Sequence, residues 1–425
     1  MESYIEKDLA TGVRAVYVPK GQFKTSEISV SLLTALENEE TAAANALVAM
    51  LLCRSSAKYK TLTELNRYLA GLYGAELSPS IQKQGENQLL KFSITCVDDR
   101  FSLDGGSILA DSLNLISELI FEPDFENGVF KESNVEGEKR LLIEKIKGEE
   151  NEKRVYVLRR LQEIMFDGEP YSLSQYGTVE AVKSLTAERL TKAWKNLLKS
   201  ANVLITVVGN SFNEGAICAM AEKFEATGRE CKEPKKAVFV PKASDVKDVT
   251  ERIDVKQGKL IMGFRVNAEP GDGKNGAIRS FCDVFGGGPY SKLFANVREK
   301  MSLCYYCSAR YVRQKSYVYI TSGCEEENMD KAIKEIFNQL EEIKAGNFDY
   351  EFKSSKIALT DALNAVNDAP DSLENWYVNQ ITDEKFVSPE ESAAQNEAVT
   401  KDEIVKCADL LTLDTVFRLV AKEGE

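Results

Sequence analysis

One order of predicted strands and helices occurs twice in this chain of 425 residues, and this repetition limits the fold more than any other feature. The first half is predicted to contain a strand, two helices, two paired strands and a helix, at residues 27–33, 41–52, 62–73, 75–82, 87–96 and 107–120. The second half repeats this order at residues 259–266, 276–285, 290–300, 304–313, 317–324 and 328–343. The pattern predicts two copies of one α+β unit joined end to end.

The final elements of the two halves match as well. A predicted helix at 186–198 leads to a strand at 203–208, and a helix at 400–411 leads to a strand at 415–420. Thr400 and Glu403 have the spacing of a capping box, in which each side chain binds a free amide at the helix start. The strands alternate weakly between apolar and polar residues, which favours an antiparallel sheet with helices on one face.

The two predicted domains are therefore homologous, each an antiparallel β-sheet flanked by α-helices. We place the N-terminal domain at residues 1–225 and the C-terminal domain at 257–425. The linker, residues 226–256, is rich in lysine and acidic residues and contains Pro234 and Pro241, as exposed linkers often do.

The chain contains no histidine. Histidine is the usual proton carrier near neutral pH and the commonest metal ligand in proteins. Its absence excludes Ser-His and Cys-His nucleophilic pairs and every zinc site that uses a histidine ligand. Catalysis by carboxylate, lysine, tyrosine or cysteine side chains stays open, for instance through Cys304 or Glu144.

Net charge and hydropathy limit the classes of partner that this chain is expected to bind. The net charge of −13 opposes binding to nucleic acid and to anionic membranes but would tolerate a basic peptide. No run of about 18 apolar residues could span a membrane, and the first residues do not resemble a signal peptide. Nine scattered cysteines do not form a secreted disulfide pattern, so we expect reduced thiols in a cytoplasmic protein.

Three short motifs have ordinary structural explanations. Residues 271–276 match GxGxxG, but the predicted hairpin that follows favours a loop turn over a dinucleotide site. Cys304 and Cys307 match CxxC but lack the second pair of a zinc ribbon, and positions three apart in a strand point to opposite faces. Residues 286–289, GGGP, lack the GK[ST] of a P-loop and form either a flexible turn or a loop whose backbone lies close to a bound chain.

Residues 286–306, GGGPYSKLFANVREKMSLCYY, resemble the second-domain signature of the insulinase/pitrilysin family of zinc metallopeptidases. That signature has a glycine-rich turn, then S-[KR]-L-F, V-R-E-K and L-x-Y. Family members carry an arginine and a tyrosine seven residues apart here, and both contact the substrate near the scissile bond. The resemblance assigns this role to Arg298 and Tyr305.

The glycine turn then becomes a further candidate for substrate contact, through Gly286, Gly287 and Gly288. The resemblance extends over nearly the whole chain. Residues 166–171, FDGEPY, with Gly177 and residues 207–210, VVGN, are similar to the end of the family's first domain. The fold it implies is one half of a clamshell.

Active members of the family carry H-x-x-E-H on a first-domain helix, with two zinc-binding histidines and a glutamate as general base. Aligned without gaps, this motif falls on residues 46–50. Ala46 and Met50 occupy the two histidine positions, and Ala49 occupies the position of the base. The helix is expected to be an ordinary apolar core helix.

The family's third zinc ligand, a glutamate, lies on a later helix. The corresponding residues here are 138–145, EKRLLIEK. The spacing from Glu138 places Lys145 at the ligand position, whereas a shift of one residue would place Glu144 there. In either register the zinc ligands of the family are lost.

This combination resembles the inactive subunits of heterodimeric family members, in which the partner supplies zinc and base. The resemblance implies a chain without activity or zinc of its own that completes the site of a catalytic subunit bearing H-x-x-E-H and acting on a peptide. The motifs also resemble a small bacterial branch of inactive subunits that is sometimes tied to elongation factor P modification. The alternatives are a peptide- or partner-binding module and an independent enzyme with non-histidine chemistry.

Overall fold

The computed structural model describes residues 3–422, which form two compact units. The first unit contains the described chain up to Lys147, Leu173–Lys236 and Val366–Ser388. The second contains Gly148–Ser172, Ala237–Ala365 and the described chain from Pro389 onward. Each unit thus includes a segment from the opposite half of the chain. The predicted domain boundaries, 1–225 and 257–425, describe the two copies of the sequence repeat and stay a prediction.

The strands in chain order are β1 (Ile5–Ala10), β2 (Val13–Pro19), β3 (Thr25–Ala35), β4 (Glu76–Gln84), β5 (Asn87–Val97), β6 (Phe125–Glu126), β7 (Val129–Phe130), β8 (Asn202–Gly209), β9 (Lys247–Ile253), β10 (Lys259–Val266), β11 (Tyr306–Val312), β12 (Tyr317–Gly323) and β13 (Leu411–Ala421). Strand β9 lies within the predicted linker.

The α-helices are α1 (Glu39–Leu52), α2 (Leu62–Gly71), α3 (Ile108–Phe121), α4 (Glu132–Asn151), α5 (Lys153–Met165), α6 (Val179–Ser184), α7 (Ala187–Ser200), α8 (Glu214–Glu225), α9 (Asn275–Gly286), α10 (Glu326–Lys344), α11 (Asp349–Ala365), α12 (Pro370–Val378), α13 (Pro389–Ala398) and α14 (Lys401–Asp409). Single 3₁₀ turns occupy Asp99–Phe101, Pro170–Ser172 and Val366–Asp368, and a π-helix occupies Phe294–Lys300. No helix within residues 3–422 is both long and apolar enough to cross a membrane.

The repeated order predicted from the sequence is confirmed by the sheets. The first unit has the strand order β1-β2-β8-β3-β5-β4, and the second has β9-β13-β10-β12-β11. Without the edge strand β1, the two orders correspond strand for strand. Each sheet is antiparallel except for one parallel pair, β2 with β8 and β9 with β13.

Helices cover both faces of each sheet, so the expectation of a single covered face is wrong. Helix α12 packs on β3 and β8 of the first sheet, and α5 packs on β10 and β13 of the second. The central strands β3, β8 and β10 are buried over almost their whole length. Burial on both faces removes the need for polar residues at alternate positions, which explains the weak alternation in the sequence.

Local sequence signals fix the ends of the helices. The predicted capping box of Thr400 and Glu403 is present at the start of α14. Helix α1 begins after Asn38, whose side chain accepts a hydrogen bond from the amide of Thr41. Buried residues then occur on all sides of α1, so this helix is an interior element rather than an amphipathic surface helix.

Candidate functional site

The positions aligned with the zinc motif lie inside the apolar core of the first unit. Ala46 and Ala49 on α1 have no exposed surface, and Met50 is partly buried against the same core. Methyl groups and a thioether on this face supply neither the imidazoles of a zinc site nor a group that can move a proton. These residues do not fit the family's metal, and helix α1 has become a packing element.

An ion pair occupies the region that corresponds to the family's third zinc ligand. Glu138 on α4 is buried, and its Oε1 accepts a hydrogen bond of 2.6 Å from Nη1 of Arg54. Arg54 also donates from Nε to Oδ1 of Asn134 over 3.3 Å. A guanidinium therefore neutralises the buried carboxylate. The pairing of Arg54 with Glu138 could not be predicted from the sequence, because it depends on how α4 packs in the fold.

The two other ligand candidates on α4 are not buried as Glu138 is. Lys145 is exposed, with Nζ 4.7 Å from the ring centre of Tyr176, and Glu144 is also exposed. In residues 3–422, no three Cys, Asp or Glu side chains are grouped closely enough to hold a metal ion. Burial raises the pKa of the nearby Cys53 thiol to about 12, and the charge of Glu138 adds to that rise.

Arg298 lies on the π-helix Phe294–Lys300 of the second unit. Its guanidinium lies 4.5 Å from the ring centre of Phe294, and its Nε is 3.5 Å from Oε1 of Glu299. The Arg298 side chain is 40 % exposed. The amide of Met301 bonds to the carbonyl of Asn296, five residues earlier, which is the wide turn that π-helices use, often at functional sites.

Tyr305 lies one residue before β11 and is 62 % exposed. Its amide donates to the carbonyl of Gly323 over 2.8 Å, so the backbone is fixed to the edge of β12. Among the described residues, its hydroxyl reaches only Oε1 of Glu325, at 3.5 Å. That distance is at the outer limit of a hydrogen bond, so the phenol can accept another partner at little cost.

Neighbouring atoms leave no room for a side chain at the three glycines of the turn before Arg298. A Cβ at Gly286 would lie 2.4 Å from the amide nitrogen of Ala309, and one at Gly287 would lie 2.0 Å from Oδ1 of Asp283. One at Gly288 would lie 2.8 Å from the ring of Tyr290. Internal packing thus explains these glycines, and their contact with a bound chain stays a prediction.

The structure brings Arg298 near the residue that precedes Tyr305. The guanidinium lies close enough to the thiol of Cys304 to help lower its pKa. We call residues 294–305, which carry both predicted side chains, the Arg–Tyr segment. The segment combines a fixed backbone with two polar side chains that extend into solvent.

The chain is similar to known proteins and to a known protein domain. Residues 184–359, which include the Arg–Tyr segment, match the model described as the peptidase M16 inactive domain. The chain is 28% identical over 97% of its own length and 97% of the relative's length to the Bacillus subtilis protein named "Probable inactive metalloprotease YmfF". These matches confirm the resemblance to this peptidase family that the motifs predicted. The chain is similar over nearly its whole length to a protein named as an inactive metalloprotease, which agrees with the apolar face of α1.

Solved structures support the M16 fold along the entire chain. A conserved protein from Enterococcus faecalis V583 has a TM-score of 0.89 at 28% identity and covers 100% of both chains. The peptidase M16 inactive domain from Pseudomonas fluorescens has a TM-score of 0.76 at 16% identity, again with 100% of both chains covered. At that lower identity the likeness concerns the fold alone. The predicted fold class and the predicted resemblance to the family are both confirmed.

The motif at residues 166–171 has a structural role. Glu169 accepts hydrogen bonds from Arg265, at 3.2 Å, and from Lys315, at 2.5 Å. Phe166 packs edge-on against Tyr171 and Tyr317 in the same cluster. The motif therefore joins the chain after α5 to the second sheet, through a buried charge cluster and stacked rings.

The two remaining short motifs differ in outcome. Gly271 and Gly273 have φ angles of +90° and +84°, so this GxGxxG is a loop with left-handed turns, as predicted. The expectation that Cys304 and Cys307 point to opposite faces is wrong, because β11 begins only at Tyr306. Their side chains pack in the same core cluster, and the two free thiols form a hydrogen bond with each other.

Proposed function

We propose that this chain is the non-catalytic subunit of a heterodimeric M16-type metallopeptidase. In this proposal Arg298 and Tyr305 contact a peptide substrate while a partner bearing H-x-x-E-H supplies the zinc and the general base. The chain alone would not hydrolyse peptides, since Ala46, Ala49 and Met50 replace the groups that act on water.

The observation that carries the proposal is the exposure of the Tyr305 phenol on a fixed backbone. Large side chains that a fold needs for its own stability are usually buried or firmly bonded. Tyr305 has neither property, since its hydroxyl has one distant contact with Glu325. The side chain of Arg298 is also partly exposed, although its guanidinium lies over the ring of Phe294. Both side chains are available to a ligand.

The chemistry of the pair suits a peptide undergoing hydrolysis. A tyrosine hydroxyl can donate a hydrogen bond to the oxyanion that develops on the scissile carbonyl, and one such donor contributes about 3 kcal/mol to the transition state. The planar guanidinium of Arg298 can hold a backbone carbonyl or a carboxylate with two parallel hydrogen bonds. The partner's zinc would supply Lewis-acid activation and the nucleophilic water.

The test is peptide cleavage by this chain, by the catalytic subunit obtained by co-purification from the native cell, and by their mixture. Activity of the mixture alone supports the proposal. The variant Tyr305→Phe should then lower turnover about 10²-fold without changing assembly on gel filtration. Tyr350→Phe is the matched control, because Tyr350 is also a tyrosine of the second unit and is 70 % exposed.

Arg298→Lys provides the second variant. It keeps the charge but loses the bidentate geometry, so substrate use should weaken while assembly stays intact. Full turnover with both Tyr305→Phe and Arg298→Lys would contradict the proposal.

A peptide- or partner-binding module is the second candidate function. The internal packing of the three glycines favours it, because one of the features expected to contact substrate is needed by the fold itself. A module would bind its partner with the same affinity whether or not Tyr305 carries its hydroxyl, and it would not raise turnover. Elongation factor P and its modifying enzymes are partners to include in that binding assay.

A further inference from the structure

Cys304 and Cys307 form a CxxC motif that the proposed function does not use. Both are free thiols. The thiols contact each other at the entry to β11, and Tyr305 lies between the two cysteines in the chain. Both side chains pack into the apolar core of the second unit, Cys307 fully and Cys304 in part.

We propose that Cys304 and Cys307 form a reversible intramolecular disulfide, which makes this pair a site of oxidative modification. The bond would close a four-residue ring that contains Tyr305. Formation of the bond does not depend on the proposed peptidase role of this chain.

The backbone holds the two thiols together. The amide of Tyr305 bonds to the carbonyl of Gly323 at 2.8 Å, and Cys307 lies opposite Ser322 in the pairing of β11 with β12. The hydroxyl of Ser322 donates to the carbonyl of Tyr306 over 2.9 Å and also contacts both thiols. The cysteines therefore stay close without any movement of the sheet.

The surroundings of the two thiols make Cys304 the attacking cysteine and Cys307 the resolving cysteine. The hydrogen bond from Cys307, with smaller contributions from Ser322 and Arg298, lowers the pKa of Cys304 to about 7, although burial opposes the change. Cys307 is fully buried, and its hydrogen bond to Cys304 together with that burial raises the pKa of Cys307 well above its ordinary value. A partly exposed thiolate beside a buried thiol is the usual arrangement of an attacking and a resolving cysteine.

The reaction balances with a low-molecular-weight disulfide such as oxidised glutathione as the oxidant. The Cys304 thiolate attacks one sulfur of the oxidant, which forms a mixed disulfide and releases one glutathione thiolate. Cys307 then loses its proton, attacks the Cys304 sulfur and releases the second glutathione. Two protein thiols are oxidised by two electrons, and one external disulfide is reduced to two thiols.

Cys324 is the competing partner, because its thiol packs in the same cluster and its charged form would affect the pKa of Cys307. It lies beyond the end of β12, and its own pKa is raised to about 11, mainly by burial. Cys307 lies only three positions from Cys304 in the chain, and the two thiols form a hydrogen bond with each other. The expected bond is therefore 304–307.

The experiment uses the full chain in glutathione redox buffers at pH 7, followed by acid quenching, alkylation and peptide mass spectrometry. The wild type should show a disulfide linking Cys304 and Cys307, which reduced glutathione reverses. In Cys307→Ser and Cys307→Ala, Cys304 should instead accumulate as a stable mixed disulfide with glutathione. Cys324→Ser is the matched control and should form the 304–307 bond as the wild type does.

Reactivity gives an independent check on the reduced protein. Cys304 should be alkylated at least about tenfold faster than Cys53 at pH 7, because both are half-buried but burial raises the pKa of Cys53 to about 12. Equal rates, a 304–324 disulfide, or a wild-type chain left as the mixed disulfide at Cys304 would each overturn the proposal. These readouts do not involve peptide cleavage, so failure of the peptidase proposal would leave them unchanged.

Discussion

Helix α1 of the first unit and the Arg–Tyr segment of the second have opposite relations to the core. On α1, Ala46 and Ala49 are fully buried and contribute only packing. On the Arg–Tyr segment, Arg298 and Tyr305 extend into solvent and contribute little to it. The residues aligned with the zinc motif therefore serve the packing of the first unit, whereas Arg298 and Tyr305 keep much of their surface exposed.

The buried carboxylates of the first unit also belong to its internal structure. Glu138 is buried but paired with Arg54 at 2.6 Å. Glu374 is buried and held by Lys91 at 2.7 Å and by Ser29 at 2.5 Å. Buried charge is stable only when it is paired and hydrogen-bonded, so these groups are committed to the structure. We therefore expect substitutions to have large effects on stability in the first unit and small effects at the Arg–Tyr segment.

The largest effect is expected for Ala49→Glu, which would return the family's base residue to α1. The new carboxylate would enter an apolar site without a partner, so the free energy of unfolding should fall by about 4 kcal/mol. Urea unfolding followed by circular dichroism measures the change. Leu141→Glu is the matched control, since Leu141 is 49 % exposed on α4 and should change stability little. A variant as stable as the wild type would show that this face of α1 is open.

Breaking the ion pair of the first unit should have the next largest effect. Arg54→Met removes the cation and leaves Glu138 buried, so the free energy of unfolding should fall by about 3 kcal/mol. The double variant Arg54→Met/Glu138→Leu should regain most of this loss, because no unpaired charge remains. Lys7→Met is the control: its pair with Glu214 is exposed and should contribute no more than about 0.5 kcal/mol. Equal losses in the single and double variants would mean that the pair is not coupled.

Glu27 on β3 provides a pH-dependent test. Burial raises its pKa to about 7, and the charge of Glu374 adds to the rise, although Lys91 and a 2.6 Å hydrogen bond from Thr95 oppose it. The folded state therefore keeps this proton at pH values where the unfolded chain, with the ordinary pKa near 4.5, has lost it. The stability that this proton contributes is present below about pH 4.5 and is lost as the pH rises towards 7.

Glu27→Gln removes that loss. Its stability relative to the wild type should rise by about 2 kcal/mol between pH 5 and pH 8, measured by urea unfolding at each pH. Glu76→Gln, at an exposed position on β4, is the control and should leave the pH profile unchanged. A pH profile for Glu27→Gln that runs parallel to the wild type would show that Glu27 is ionised in the folded protein.

The sequence was sufficient to predict the repeat, because strands and helices with clear periodicity are local signals. It could not show that α5 and α12 each pack on the sheet of the other half, since that exchange depends on contacts between distant residues. The same limit explains why both sheet faces proved to be covered and why β9 was missed within a charged segment.

The candidate site was predictable to a similar extent. The positions of Ala46, Ala49 and Met50 came from alignment with a motif, and the structure adds that the first two are fully buried. The contact between Cys304 and Cys307 was missed because the strand was assumed to begin two residues earlier than it does. An error of that size at a strand boundary is ordinary, but it changes which side chains face each other.

The smallest effect on stability is expected at Tyr305, and it is the sharpest test of the comparison. Tyr305→Phe removes one hydroxyl whose only hydrogen-bond contact within residues 3–422 is the 3.5 Å approach to exposed Glu325. The ring keeps its place, because the backbone bond to Gly323 does not involve the side chain. The free energy of unfolding should therefore change by less than about 0.5 kcal/mol. A loss of about 2 kcal/mol or more in urea unfolding would mean that the hydroxyl is part of the structure, and the contrast between the two regions would not hold. A negligible change, together with the about 10²-fold fall in turnover expected for the assembled pair, would assign the hydroxyl to the substrate rather than to the fold.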